Sequence, residues 1–383
     1  MLKIGTVLFT YKRINHTKKV LEALSKNTVL PQKLYIFQDG LKKESDKEDW
    51  EKVNELIHTV DFCPVELHVS KENKGLTEAI LSGINYVLEE NDAVIVIEDD
   101  IMVMPGFMKF MTESLVRYEK EEKVYHVTGY NLPLDLSRNG VDAYFGGRAN
   151  IWGWGTWKNR WGLYDRTDLP LREIMNNSEL SKELAIWGRD LDNVQQAVRK
   201  GEIDTWDVFW ALTVIKNRGY CLNPCISLVK NIGFDNSGEH CSAHNRYDTD
   251  ELQKNVPESW IWPEKINFEE EVRKAYVNFF GSGLIFSEYD SKKNDVLIYG
   301  LGNCFHDNEK EIVGKYNVVA IIDSYKRGWF AGKRIIEPAQ IDKFQYDSII
   351  IMLYDEEECK KIAENLEEKY NVPKDKIIIY WVK

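Results

Sequence analysis

The sequence predicts an α/β protein: a mostly parallel sheet in its first part, followed by a smaller βαβ sheet near its C-terminus. Strand-like and helix-like segments alternate from Lys3 to Thr128, the pattern of βαβ units in a parallel sheet. Val94–Ile97 is an unbroken run of β-branched apolar residues, as expected of a strand covered on both faces. A second alternation of short apolar runs begins at Asp295, after a charged stretch.

Taken in order, Lys3–Phe9 reads as the first strand and Asn15–Lys26 as a helix with Asn15 as its N-cap. Leu34–Gln38 is a second strand, ending at Asp39-Gly40, and a charged helix follows over Lys47–Val60. Val65–Val69 is a third strand. Asn73-Lys74-Gly75 then opens a helix whose Leu76, Ile80, Ile84 and Leu88 fall on one face. The strand through Val94 stops at Glu98-Asp99-Asp100. Pro105 suits the first turn of the next helix, and Val124–Thr128 is another strand.

Regularity then breaks. Asn150–Trp161 reads Asn-Ile-Trp-Gly-Trp-Gly-Thr-Trp-Lys-Asn-Arg-Trp, where glycines permit close backbone approach and indoles give flat apolar faces. A single Trp here is best read as core; the group suggests a binding wall. Thr205–Trp210 opens a helix with Asp207 near its N-terminus, and Asn231–Cys241 is a polar, glycine-containing loop. Pro263–Asp290 reads as a partly helical connector. Strands at Asp295–Tyr299, Val318–Ile322, Ser348–Leu353 and Ile377–Trp381, with a helix at Glu356–Lys369, complete the second sheet. The expected domains are therefore 1–262, a connector at 263–293, and 294–383.

The chain's 383 residues suffice for two or three domains with real cores. A net charge of −12 argues against nonspecific nucleic-acid binding and against a basic membrane anchor. No apolar run approaches the roughly 18 residues of a membrane span, and Met1-Leu2-Lys3-Ile4 leads straight into a strand rather than a signal segment. Six scattered cysteines make no disulfide framework. Reduced thiols and a cytoplasmic protein are expected, peripheral docking at the inner membrane face being compatible with both.

Three adjacent carboxylates at the end of a buried strand repel one another and lose hydration unless a cation or donors compensate. Ligands of open α/β sheets bind at that same edge, and a hard divalent ion gripping a diphosphate would supply the charge. On spacing alone a solvated turn explains the triplet equally simply. Asp207 likewise has a plain reading as a helix N-terminal charge, worth a few tenths to about 1 kcal/mol.

The order Phe9-Thr-Tyr-Lys-Arg13, Gln38-Asp39, Val96-Ile-Glu-Asp-Asp-Ile101, a Gly/Trp segment, Trp206-Asp207 and a late His resembles GT-A glycosyltransferases. The nearest groups are the N-acetylglucosaminyltransferase I-like enzymes and bacterial family 2 enzymes, over approximately residues 1–260. The resemblance implies a Rossmann-like domain, an NDP-sugar donor (UDP above all), Mn²⁺ or Mg²⁺, and inversion at the anomeric carbon. It gives Thr10, Arg13, Asp39 and Lys74 to the nucleotide and Asp99 to its ribose. Glu98, Trp152, Gly153, Trp154 and Trp206 would line the donor and acceptor sugars. Asp100 would hold the metal with His240 as second ligand, and Asp207 would be the catalytic base. The implied acceptor is a glycan or lipid-linked glycan of bacterial surface polysaccharide synthesis, and a homo-oligomer is compatible with this.

Other readings stay open. Cys221, Cys225, His240, Cys241 and His244 could form a zinc site, though Cys-x3-Cys is loose spacing; His240 could also be a plain loop histidine. A sugar nucleotidyltransferase is a rival, against which Thr10-Tyr-Lys-Arg13 replaces a glycine-rich loop. A non-catalytic sugar-nucleotide-binding protein is the other. The C-terminal part resembles Rossmann-like modules attached to some bacterial sugar-processing enzymes. Phe305 stands at the third glycine position of the Gly300-Leu-Gly302 turn, where close helix–strand packing needs a small residue. No NAD is assigned, and Asp323 is expected to serve the fold or a protein contact.

Overall fold

The structure is a computed structural model and describes residues 2–134, 136, 140–235, 247–249, 251–280, 284 and 289–380. In chain order the first elements are β1 (Ile4–Thr10), α1 (Ile14–Ser25), β2 (Leu34–Gln38), α2 (Lys47–Ile57), β3 (Val65–Val69), α3 (Leu76–Glu90) and β4 (Ala93–Glu98). Next come β5 (Ile101–Val103), α4 (Phe107–Arg117), β6 (Val124–Thr128), β7 (Ala143–Gly146), β8 (Trp154–Trp157) and α5 (Lys158–Trp161). Helices α6 (Leu169–Met175), α7 (Ser178–Trp187), α8 (Leu191–Arg199) and α9 (Asp207–Lys216) precede β9 (Tyr220–Pro224), β10 (Val229–Asn231) and α10 (Glu270–Phe280). The last stretch holds β11 (Asp295–Tyr299), α11 (Asn303–Lys315), β12 (Asn317–Ile322), β13 (Gly328–Phe330), β14 (Lys333–Ile336), β15 (Ser348–Ile351), α12 (Glu356–Tyr370) and β16 (Ile377–Ile379). No helix among the described residues is long and apolar enough to cross a membrane.

Residues 1–166 and 193–272 pack as one unit, and 167–192 with 273–383 as a second. The first is built on an eight-stranded sheet in the order β3-β2-β1-β4-β8-β6-β9-β7. Strands β3, β2, β1 and β4 are mutually parallel, as the βαβ alternation requires, and antiparallel pairing begins where β8 joins β4. Every residue of β1 is buried, and Val94–Ile97 of β4 are at most 1% exposed. Burying a side chain of this kind contributes about 1.5–3 kcal/mol. Helix α3 covers the sheet with Ile80, Ile84, Val87 and Leu88. Gly83 lets the Phe9 ring in: a Cβ there would lie 2.5 Å from Phe9 Cε1.

Two helix starts differ from the sequence reading. Arg13, not Asn15, holds the cap position of α1, because the first helical bond runs from Thr17 N–H to Arg13 O at 2.9 Å. Pro105 lies outside α4, which is capped by Gly106. Asn27 Oδ1 instead accepts from Met108 N–H at 2.9 Å, satisfying one of the orphan donors of that helix.

The second unit carries a six-stranded sheet, β13-β14-β12-β11-β15-β16, parallel except for the β13–β14 hairpin. Val296, Ile298, Phe305 and Ile321 fill one face; Leu297, Ala320, Ile322 and Ile349 fill the other. Segment 167–192 precedes the expected cut at residue 262, yet it packs here. Met175 O approaches Gly328 so closely that a Cβ would sit 2.1 Å away, and Gly332 N–H donates to Ser181 Oγ at 3.2 Å. Arg273 grips Glu183 with two donors at 3.0 and 3.3 Å. Asp323 ends β12 and accepts from the backbone N–H groups of Leu301, Tyr325 and Lys326 at 3.2, 2.8 and 2.9 Å.

Candidate active site

The register of the first sheet brings distant residues to one edge. Thr10 aligns with Gln38 and Gln38 with Val69, while Phe9 aligns with Glu98. The segments that follow these strands, Tyr11–Arg13, Asp39–Lys43, Ser70–Gly75 and Asp99–Asp100, therefore gather at the carboxyl ends of the parallel strands, where such sheets bind ligands.

Asp99 is buried, and Asp100 is largely so. Arg13, placed by the short turn between β1 and α1, bonds Asp99 and reaches Asp100 Oδ2 at 3.0 Å. That pairing with two carboxylates raises the guanidinium further above its ordinary range despite its own burial. Among the described residues Glu98 makes no comparable pair. Burial pushes it up to about 8, reinforced by Asp100 and Asp99 and by Asp207, and opposed by Arg13. Asp99 is raised as well, by burial first, with Arg13 pulling against it. The strand end thus holds more negative charge than its one guanidinium neutralises.

Asp207 opens α9, where Thr205 Oγ1 donates to its Oδ1. Its charge is the smallest of the contributions that raise Glu98. Tyr164 stands beside it, its hydroxyl bonded to Trp206 O at 3.1 Å and raised by burial and by the charges of Asp207 and Asp204. Asp204 is paired with Arg166 at 3.3 Å and lies next to Gly75 at the start of α3.

Other expected site residues differ in what they do. The Asp39 carboxylate accepts from Gly40 N–H, Lys74 N–H, Asn73 Nδ2 and Gly75 N–H at 2.8–3.1 Å. Those four bonds tie the loop after β2 to the loop that opens α3. Lys74 Nζ rests on Ser82 Oγ at 3.3 Å. Thr10 Oγ1 is buried with no partner among the described residues.

Trp154 and Trp206 are 0% and 2% exposed and stack on each other at 5.3 Å, with Trp154 also on His126. They are core, and the expected binding wall narrows to Trp152, which is partly exposed and packs on Tyr130 and Phe234. Gly153 has φ +59°, and a Cβ there would strike Val229 and Phe107 at 2.8 and 2.9 Å, so the turn behind Trp152 requires glycine.

The sequence reading missed His16 and the near side of the 231–235 loop. His16 Nε2 donates to Ile232 O at 3.2 Å and lies 3.2 Å from Asp235. Ile232 N–H donates to Asp100 O at 2.8 Å, and Gly233 passes so close to Asp100 that a Cβ would sit 2.5 Å from Oδ2. The available signal was spacing: His16 follows Arg13 by three residues, one helical turn.

His240, Cys241 and His244 lie outside the described residues, and with them the second metal ligand and most of the zinc alternative. Cys221 is buried in β9, where burial pushes its thiol up. Among the described residues no group of three or more His, Cys, Asp or Glu converges as a metal cage. The donor set at the strand end still fits a guest cation. It is hard oxygen, carries excess negative charge, already has Arg13 standing in as a cation, and leaves Asp100 Oδ1 without a hydrogen bond among the described residues. Mg²⁺-like ions are commonly held by one or two carboxylates, with substrate phosphates completing the shell.

A family model described as C2185-like, N-terminal, matches residues 292–378, inside the second unit. No curated protein matches the sequence. Among solved structures, S. aureus TarS 1-349 in complex with UDP-GlcNAc aligns at 9% identity and TM-score 0.36, over 60% of this chain and 58% of that one. Mannosyltransferase PcManGT from Pyrobaculum calidifontis, in complex with GDP-Man and Mn²⁺, aligns at 9% identity and TM-score 0.33, over 56% and 70%. Likeness at this level carries no inference, so the site is read from its own geometry.

Proposed function

We propose that the chain is a GT-A-type glycosyltransferase that moves a sugar from a nucleoside-diphosphate donor to a hydroxyl of a glycan or lipid-linked glycan, with inversion. The observation that carries this reading is the cluster Glu98–Asp100 at the sheet's carboxyl edge, with Arg13 bonded to both Asp99 and Asp100. The resemblance of the motif order supports it. UDP is the proposed carrier, and a role in bacterial surface polysaccharide synthesis follows from the same resemblance.

In this reading Arg13 and the turn around Thr10 receive the diphosphate end of the donor, and Asp99 the ribose. Glu98 and Trp152 face the sugars. Asp207 accepts the proton of the acceptor hydroxyl as its oxygen bonds the anomeric carbon and the carbon–phosphate oxygen bond breaks, the electron pair leaving with the diphosphate. Asp100 would hold Mn²⁺ or Mg²⁺, which supplies neutralisation of the charge that develops on that leaving group. Residues 294–383 are proposed as an accessory module, dispensable for chemistry.

The test is a binding and turnover screen of UDP, GDP, dTDP and CMP, and their sugar conjugates, each with Mn²⁺ or EDTA. Mn²⁺-dependent UDP binding with UDP-sugar turnover is the expected result. Tighter GDP or dTDP binding overturns the carrier, and full turnover in EDTA overturns the metal.

A further inference from the structure

The double pairing of Arg13 has a consequence for how the site fills, resting on the proposed reading of it as a nucleoside-diphosphate site. The guanidinium engages Asp99 and the Oδ2 atom of Asp100 at once. On the other flank the 231–235 loop closes in: Ile232 is bonded to Asp100 O, Gly233 leaves no room beside Oδ2, and His16 ties the loop to α1. Asp100 is thus left with one open oxygen next to a fixed positive charge.

We propose that Arg13 is an electrostatic latch: it holds Asp100 in the nucleotide-free protein, and a divalent cation reaches Asp100 only together with a diphosphate that draws the guanidinium onto itself. Each partner alone meets the wrong charge. A bare divalent cation approaches a carboxylate already shared with a guanidinium, and like charges repel at that range. A bare diphosphate approaches Asp99 and Asp100, with the Arg13 guanidinium already shared between them. Together the two exchange places with the internal pair, because guanidinium fits phosphate as well as carboxylate and the cation fits Asp100 and phosphate oxygens. The coupling is reciprocal by linkage: whatever factor the nucleotide adds to cation affinity, the cation adds to nucleotide affinity.

The experiment reads binding, not activity. Mn²⁺ binding is measured by the EPR signal of the free ion, and UDP binding by calorimetry, with correction for Mn²⁺–UDP association in solution. In the wild-type chain, UDP should tighten Mn²⁺ at least about tenfold, with the same factor in the converse direction. Arg13→Gln should bind Mn²⁺ alone at least about tenfold more tightly than wild type, since the competing charge is gone, and should lose most of the coupling. Arg13→Lys, which keeps the charge but lacks the planar fork that matches phosphate, should fall between; melting curves of both variants check folding. The latch is overturned if wild type binds Mn²⁺ as tightly without UDP as with it, or if a folded Arg13→Gln binds Mn²⁺ alone no better than wild type. Failure of UDP, GDP and dTDP alike to bind would sink the functional reading instead. The latch would still be judged by Mn²⁺ alone in wild type against Arg13→Gln.

Discussion

Two strand ends in this molecule carry acids, and they behave in opposite ways. In the second unit Asp323 closes β12 and spends its carboxylate on three backbone N–H groups, those of Tyr325 and Lys326 in its own turn and that of Leu301 after the neighbouring β11. In the first unit Glu98, Asp99 and Asp100 close β4 with one guanidinium among them, and Glu98 is left pushed up to about 8. The acid whose donors are supplied locally is a staple. The acids whose charge exceeds the local supply form a site, because an unmet charge is what a ligand can satisfy. Asp39 shows the same distinction within the first unit, since its four donors make it a staple at the very edge where the site lies.

The sharpest way to break the comparison is at Asp207, whose charge feeds the unmet cluster. Asp207→Asn should keep donor and Mn²⁺ binding and lose turnover by roughly 10²–10⁴-fold. Steady-state kinetics with separate kcat and KM decide it: near wild-type kcat, with Asp204→Asn inactive, would move the base one helical turn. Next in size is the buried ion pair of the second unit, Arg189 to Glu309 at 2.5 Å, with Arg189 also bonded to His306. Glu309→Gln should cost about 3–5 kcal/mol in denaturant unfolding, because it removes the carboxylate that compensates a buried guanidinium, while UDP affinity stays unchanged. A cost under about 1 kcal/mol would mean that this pair is dispensable.

A smaller effect is expected at the staple itself. Asp323→Ala orphans three N–H groups and should lower stability by about 1–3 kcal/mol with no change in nucleotide binding. A loss of nucleotide affinity there would erase the contrast between the two strand ends. The last effect is a slope, small over any one pH unit. The Glu98 carboxyl keeps its proton in the folded chain up to about 8, whereas an ordinary one releases it near 4.5. Between those values the native state binds more protons than the unfolded one, so stability should fall as pH rises, by at most about 1.4 kcal/mol per pH unit for one group. Melting temperatures in EDTA across pH 5–8 should show that decline, and Glu98→Gln should flatten it; parallel curves would remove Glu98 from the cluster.

Much of the first sheet was legible because burial on both faces leaves a run such as Val94–Ile97, and because α3 keeps a four-residue apolar spacing over Leu76–Leu88. The convergence of strand ends followed from parallel order alone. What stayed hidden was non-local. Trp154 and Trp206 read as a wall because nothing in a sequence says that two indoles will stack on each other and on a histidine. Segment 167–192 looks like any charged helical stretch until Met175 and Ser181 meet a glycine hairpin more than a hundred residues further on. Nor does the sequence around Asp39 show the donors from Asn73, Lys74 and Gly75 that hold its carboxylate.

The detour of the chain through 167–192 also sets an order of events during synthesis. Helices α6 and α7 leave the ribosome long before β13 and β14, the strands that Met175 and Ser181 meet. At ordinary elongation speeds the interval is on the order of ten seconds or more. Throughout it, Ala185, which ends up in the core of the second unit with Val296 and Ile321, and Met175, which packs against that core, lack those partners. The nascent chain therefore carries an unfinished hydrophobic hairpin between two stretches of the first unit, and that hairpin is where a chaperone would find its grip.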